Sequence, residues 1–154
     1  TSAAGIFAGG WIGDHINRTG SRALNWRRLL GFTGLGTAAT IQFFAHWSGI
    51  PWLCITLAAT SLFIMYLHHA SWWSTVIDTG GRSHTGALFG FCNGLGVVGG
   101  ASAQYFFGWF ADWRGRQGFT GRDQFDPAFM VCAVVLFCGA CAWLAVREIP
   151  EEKE

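Results

Sequence analysis

A short segment rich in charge and glycine, residues 9–28, which we call the hinge segment, contains the side chains best suited to an electrostatic switch. Asp14 is its one carboxylate, and arginines follow it along the chain. Opposite charges at helix ends stabilise one packing of the helices, and separating them releases another. The alternative is that these charges only anchor helix ends at a membrane surface. The switch hypothesis concerns Gly10, Asp14, Arg18, Gly20, Arg27 and Arg28.

Two adjacent histidines lie in a long apolar stretch, where ionisable groups mark functional sites. Helical spacing predicts that His68 contacts Trp72 and that His69 contacts Trp73. Because the histidines are about 100° apart on the helix, at most one is expected to point into a cavity. Such a histidine is suited to binding an anion or relaying a proton. The alternative is histidine–tryptophan packing. His68, His69 and Trp72 are therefore candidates for a substrate path.

Another apolar stretch carries two amides and many small residues. Gly86, Asn93, Gly100 and Gln104 share one stripe of a helix. Amides in an apolar helix need a partner or water, so Asn93 and Gln104 are further candidates for the substrate path. The alternative is a helix–helix contact with amide hydrogen bonds. Glycines at four-residue spacing allow close helix packing, and the packing candidates are Gly86, Gly90, Gly94, Gly96 and Gly100.

The elements that position these residues follow from the distribution of charge. Residues 29–77, 83–111 and 127–146 contain no Asp, Glu, Lys or Arg. A membrane-spanning helix needs about 20 apolar residues, so the first stretch is long enough for two helices. Pro51 suits the first turn of the second. We therefore predict four full helices, the end of an earlier one and a short tail: 28–47, 51–77, 83–111 and 127–147, with 1–13 before them and 148–154 after.

Composition excludes several classes of protein. Only 12% of the residues are charged and 51% are apolar, whereas soluble domains have about 25% charged residues. A net charge of +1 offers no electrostatic affinity for nucleic acid. The cysteines lie in predicted spans, and the dinucleotide-like pattern Gly94–Gly99 follows no strand. We expect no cofactor, no metal and no enzymatic chemistry.

The distribution of Lys and Arg predicts the orientation in the membrane. Seven lie on the side of the hinge segment and the tail, and three lie in the 112–126 loop. Basic residues are enriched on the cytoplasmic side. We therefore expect a multi-pass protein of a bacterial inner membrane or plasma membrane, with residues 14–28 and the C-terminus in the cytoplasm.

Three motifs resemble the anion:cation symporter branch of the major facilitator superfamily. The hinge segment is similar to the loop between helices eight and nine, on Gly9-Gly10-Trp11-Ile12-x-Asp14-x-Ile16-x-Arg18-x-Gly20 followed by Arg27-Arg28. The passage from helix ten to helix eleven is similar on Trp72-x5-Asp78-x7-Gly86-x3-Gly90-x2-Asn93-x2-Gly96. Gly108-x3-Asp112 resembles the end of helix eleven. His15 departs from the loop motif, which prefers Arg or Lys there.

The resemblance implies a fold and a function. The fold is an all-α membrane protein, the C-terminal part of a twelve-helix major-facilitator fold. The function is alternating-access transport of a small organic anion, a sugar acid or carboxylate, coupled to a cation. The partners would be the lipid bilayer and the N-terminal half of the same transporter. Since the sequence starts inside a predicted helix and without Met, we expect it to be a fragment. The alternative function is a membrane scaffold or assembly module built on glycine-mediated helix packing.

Overall fold

A computed structural model describes residues 2–18 and 23–146 of the chain. The described residues form helices joined by short connections, with no strand among them. Three helical segments are long and apolar enough to span a membrane: Pro51–Gly81, Ser83–Arg116 and Arg122–Ala145. The chain is therefore an all-α membrane protein, as composition predicts. The helices are α1 (Ser2–Arg18), α2 (Ala23–Trp47), α3 (Pro51–Leu67), α4 (His69–Arg116) and α5 (Arg122–Ala145).

The hinge segment contains more helix than its sequence suggests. We expected the first helix to end at residue 13 and the second to begin at 28, but α1 continues to Arg18 and α2 begins at Ala23. No proline interrupts residues 14–18 or 23–28, and glycine is also absent from both ranges, so nothing local stops either helix. Asp14 and Arg27 therefore lie on helices, where their backbones are fixed.

The span predicted at 51–77 has one interruption. α3 ends at Leu67, His68 has φ −81° and ψ −5°, and α4 begins at His69. The amide of Trp72 still donates to the carbonyl of His68 at 3.0 Å. The two helices thus form one span, Pro51–Gly81, with a break near its middle.

A glycine pair reverses the chain within α4. Gly81 has φ +56° and ψ −165°, a backbone conformation that residues other than glycine rarely adopt. A Cβ atom on Gly80 would lie 2.7 Å from the Cα of Thr85. Both glycines are needed for the tight reversal, after which Ser83–Arg116 runs back across the bundle. We call Ser83–Arg116 the return helix.

Small residues bring α2 into contact with its neighbours. Ala38, Ala39 and Ala140 are buried, and the hydroxyl of Ser61 donates to the Ala38 carbonyl across α2 and α3 at 2.9 Å. The Trp143 ring lies over Gly31, where a Cβ atom would come within 2.5 Å of its Cγ. α2 is therefore the central helix of the described bundle.

The return helix contrasts with α2, because none of the residues in its most apolar window is buried against described residues. The five glycines predicted to pack have no atom within 4 Å of an added Cβ. No partner for them lies in residues 2–18 or 23–146, so their packing role stays a prediction.

Candidate functional site

The hinge end of the bundle, where α1 ends and α2 begins, carries an ion pair between distant parts of the chain. A guanidinium nitrogen of Arg27 on α2 donates to a carboxylate oxygen of Asp78 on α4. The Arg27 side chain is only 15% exposed, whereas that of Asp78 is 62% exposed. The pair therefore joins α2 to the end of the span Pro51–Gly81. The arginine is its mostly buried partner and the aspartate is its exposed partner.

A small cavity adjoins the Arg27 side of this pair. It has a volume of about 50 Å³, and Asp14 lines it together with Arg27. A space of this size admits ordered water but no sugar. Arg27 thus pairs with a carboxylate on α4 and lines the same cavity as a carboxylate on α1. The other lining residues are small: Gly10, Gly13, Ala70, Ser71 and Ser74.

Arg28 points to a different helix from Arg27. Its guanidinium donates to the carbonyl of Leu144 in the last turn of α5. The last carbonyls of a helix have no intrahelical donor and carry partial negative charge, which a cation neutralises. Arg28 therefore fastens the hinge end of α5 to α2.

The predicted switch residues divide into groups in the structure. Gly10, Asp14 and Arg27 line one cavity, and Arg28 contacts α5 instead. Arg18 ends α1, but its side chain is outside the described part of the chain, and Gly20 lies there entirely. The sequence analysis did not identify Asp78 as a switch residue, because 51 residues separate it from Arg27.

The adjacent histidines face different surroundings. The His68 ring meets Trp143 of α5 edge-on at 5.9 Å, and its buried Nδ1 has no hydrogen-bond partner among the described residues. The His69 ring stacks on Trp72 at 5.8 Å and meets Trp73 edge-on at 5.6 Å. The predicted His69–Trp73 contact is present. Trp72, which is predicted to contact His68, stacks on His69 instead. His68 is thus part of the packing around α5, and His69 belongs to a separate aromatic surface.

That aromatic surface reaches the return helix. The Trp73 ring stacks on Phe89 with centroids 4.3 Å apart, and Trp72 meets Phe89 edge-on at 6.0 Å. Asn93 follows Phe89 by one helical turn on the same side, and it is exposed. Spacing alone identified Asn93 but gave no indication of Phe89. Gln104, further along the return helix, is also exposed.

Arginines organise the far end of the bundle, where α2 ends and α5 begins. Arg122 donates to the carbonyl of Ser48 at 2.6 Å and lies 3.0 Å from an Asp126 oxygen. Pro127 cannot donate to the carbonyl of Asp123, and Arg114 donates to that oxygen instead at 3.0 Å. These arginines supply the hydrogen-bond donors that the backbone does not provide at helix ends and at proline. Backbone carbonyl acceptors leave no pattern in the sequence, so these contacts could not be predicted from it.

The described residues contain no cluster of three or more His, Cys, Asp or Glu side chains that could hold a metal ion. The two sites offer an arginine that pairs with one carboxylate and shares a cavity with another, and an exposed amide one helical turn from an aromatic surface. The first suits a charge switch. The second suits a polar ligand with an apolar face.

Comparison with known proteins supplies one relative. The chain is 29% identical over 101 residues to the hexuronate transporter of Bacillus subtilis (strain 168), a match that covers 62% of this chain and 24% of that protein. The chain thus spans about a quarter of the length of the curated relative it matches. No protein-family model matches the chain, and no solved structure matches it. That the relative is a transporter agrees with the expectation of a non-enzymatic membrane protein.

Proposed function

We propose that this chain is part of a secondary transporter for sugar acids of the hexuronate class, coupled to a cation. The similarity to a hexuronate transporter carries this proposal. The chain would be the C-terminal part of a protein that alternates between states open to either side of the membrane. We call the complete protein that carries this segment the full-length protein.

The charges at the hinge end supply a switching element for such a cycle. Arg27 pairs with Asp78 and shares a cavity with Asp14, so Asp14 is the candidate for its second carboxylate partner. A partly exposed ion pair contributes about 0.2–1 kcal/mol, which is enough to bias two states without locking one. The excess of arginine at this end supports a cytoplasmic location.

The return helix supplies the substrate path. Asn93 and Gln104 are exposed on it, and Asn93 adjoins the surface formed by His69, Trp73 and Phe89. A sugar acid has hydroxyls for an amide to bind, a carboxylate for a histidine, and a C–H face that packs on aromatic rings. The exposed glycines leave room for the N-terminal half of the transporter on the same helix.

Uptake by the full-length protein in proteoliposomes tests the proposal. We expect saturable uptake of radiolabelled glucuronate or galacturonate, and no uptake of glucose, which lacks the carboxylate. Imposing a proton gradient in one experiment and a sodium gradient in another identifies the coupling cation. Purified protein that binds and moves no hexuronate under either gradient would contradict the proposal and favour the scaffold.

Replacing Asn93 with alanine is expected to lower the uptake rate at limiting hexuronate by about 2- to 12-fold, since losing a hydrogen bond costs about 0.5–1.5 kcal/mol. Asn93→Cys, in a version without the native cysteines, should react with a water-soluble thiol reagent, and hexuronate should slow that reaction. Leu95→Cys is the matched control, because its side chain lies about 200° around the helix. Equal labelling at both positions, unaffected by hexuronate, would place Asn93 outside the path.

A further inference from the structure

A second charged cluster lies at the far end, away from the proposed substrate path. It consists of His46 in the last turn of α2, with Arg122 and Asp126 in the first turns of α5. The Nε atom of Arg122 lies 3.0 Å from Oδ2 of Asp126. The same guanidinium donates to the carbonyls of Ser48 and His46, at 2.6 and 3.4 Å. Arg122 therefore already holds the end of α2 against α5.

His46 is placed to join this cluster but makes no hydrogen bond to it in the structure. Its Nδ1 atom lies 4.0 Å from Oδ2 of Asp126, beyond hydrogen-bond distance. That nitrogen is buried and has no hydrogen-bond partner among the described residues. The His46 and Asp126 side chains are 21% and 19% exposed, so the pair is only partly screened by water.

The surroundings give the imidazole room to move. A cavity of about 180 Å³ adjoins His46 and Asp126, and the amide of Gln42 and the thiol of Cys54 line it. The charged and titratable groups that line this cavity or contact His46 are therefore Arg122 and Asp126 from α5 and Cys54 from α3. The carbonyls at the end of α2 also favour a positive charge there.

We propose that His46, Asp126 and Arg122 form a proton-sensitive latch between α2 and α5. A protonated imidazole donates from both ring nitrogens, so Nδ1 becomes a charged donor opposite Asp126. The carboxylate is then shared between two cations, one on each helix, with both also near the carbonyls that end α2. When His46 is neutral, this second attachment is weaker and Arg122 alone holds the junction.

The direction of the effect follows from histidine chemistry. An imidazole gains a positive charge when it takes up a proton, and histidine is the side chain suited to doing so in the physiological pH range. The extra attachment is therefore present in acid and is lost as the pH rises. Repulsion between protonated His46 and Arg122 opposes this attachment. The negative charge of Asp126, which faces both cations, offsets part of the repulsion, and the carbonyls at the end of α2 offset more of it. The latch would adjust the far end of the bundle to the pH of the compartment that it faces.

Hydrogen–deuterium exchange of the full-length protein, with intrinsic rates corrected for pH, measures this junction directly. We expect amides in the last turn of α2 to be about 1.5- to 5-fold more protected at pH 5.5 than at pH 7.5, the range for a partly exposed ion pair. The pH response should vanish in His46→Gln and in Asp126→Asn. It should persist in His84→Gln, which removes an exposed histidine at the hinge end.

The test of the latch is the change in protection between the two pH values, and not the protection measured at one of them. Asp126→Asn also weakens the contact with Arg122, so its baseline should fall, whereas that of His46→Gln at pH 7.5 should stay near the unmodified protein. No pH response in the unmodified protein, or one that survives in His46→Gln, would overturn the latch. Because the readout is local protection and not uptake, this result is independent of whether the protein transports hexuronates.

Discussion

Replacing Gly9 with alanine is expected to destabilise the protein by about 1–3 kcal/mol, the usual cost of forcing an extra methyl group into a filled space. A Cβ atom at Gly9 would lie 2.7 Å from the carbonyl carbon of Leu67 and 2.9 Å from its Cα atom. These are backbone atoms of α3, which cannot rotate away as a side chain can. Helix α1 would have to move off α3, at the point where the span breaks at His68.

Gly10→Ala is the matched control for this substitution. It adds the same methyl group to the same helix one residue later, where an added Cβ has nothing within 4 Å. Alanine also favours helix over glycine, so Gly10→Ala should be neutral or slightly stabilising. Thermal unfolding of the two full-length variants in one detergent makes the comparison. Equal midpoints would show that the close approach of α1 to α3 is absent in the membrane.

The predictable part of the fold is the part that burial in lipid dictates. Stretches without charge had to be helices, because a spanning backbone must satisfy its own hydrogen bonds. Boundaries were less predictable. The end of each uncharged stretch predicts a helix end and so places Asp14 and Arg27 outside the helices, but a helix continues past a lipid boundary when no residue stops it. α2 is not among the segments apolar enough to span by composition, although 28–47 is predicted to be one.

The candidate site was predictable where one helix determines it. Spacing along a single helix identified the contact of His69 with Trp73, whereas the role of Asn93 stays a prediction. It could not distinguish His68 from His69, because what separates them is Trp143 on another helix. The same limit applies to Arg27, whose carboxylate partner is 51 residues away. Contacts between helices depend on how the helices pack, and periodicity within one helix carries no information about that.

Removing the carboxylate of Asp78 by Asp78→Asn is expected to slow hexuronate exchange by the full-length protein up to about fivefold. An ion pair of this exposure contributes at most about 1 kcal/mol, and that is a factor of about five between two states. The effect falls on the conformational step, because Asp78 lies at the hinge end, where it pairs with Arg27. Counterflow in proteoliposomes measures it. Asp112→Asn removes the same charge at an exposed far-end position and should have no such effect.

Removing the carboxylate of Asp14 together with that of Asp78 gives a sharper test of the switch. If Arg27 exchanges between Asp78 and Asp14, either acid alone partly supports it, and each single substitution is mild. Asp14→Asn combined with Asp78→Asn would then leave a mostly buried arginine without either acid, which costs more than the two single effects added together. If Asp14 only anchors α1 at the membrane surface, the two effects add. The coupling between Asp14 and Asp78 in exchange rate therefore separates a switch that uses both acids from a static ion pair.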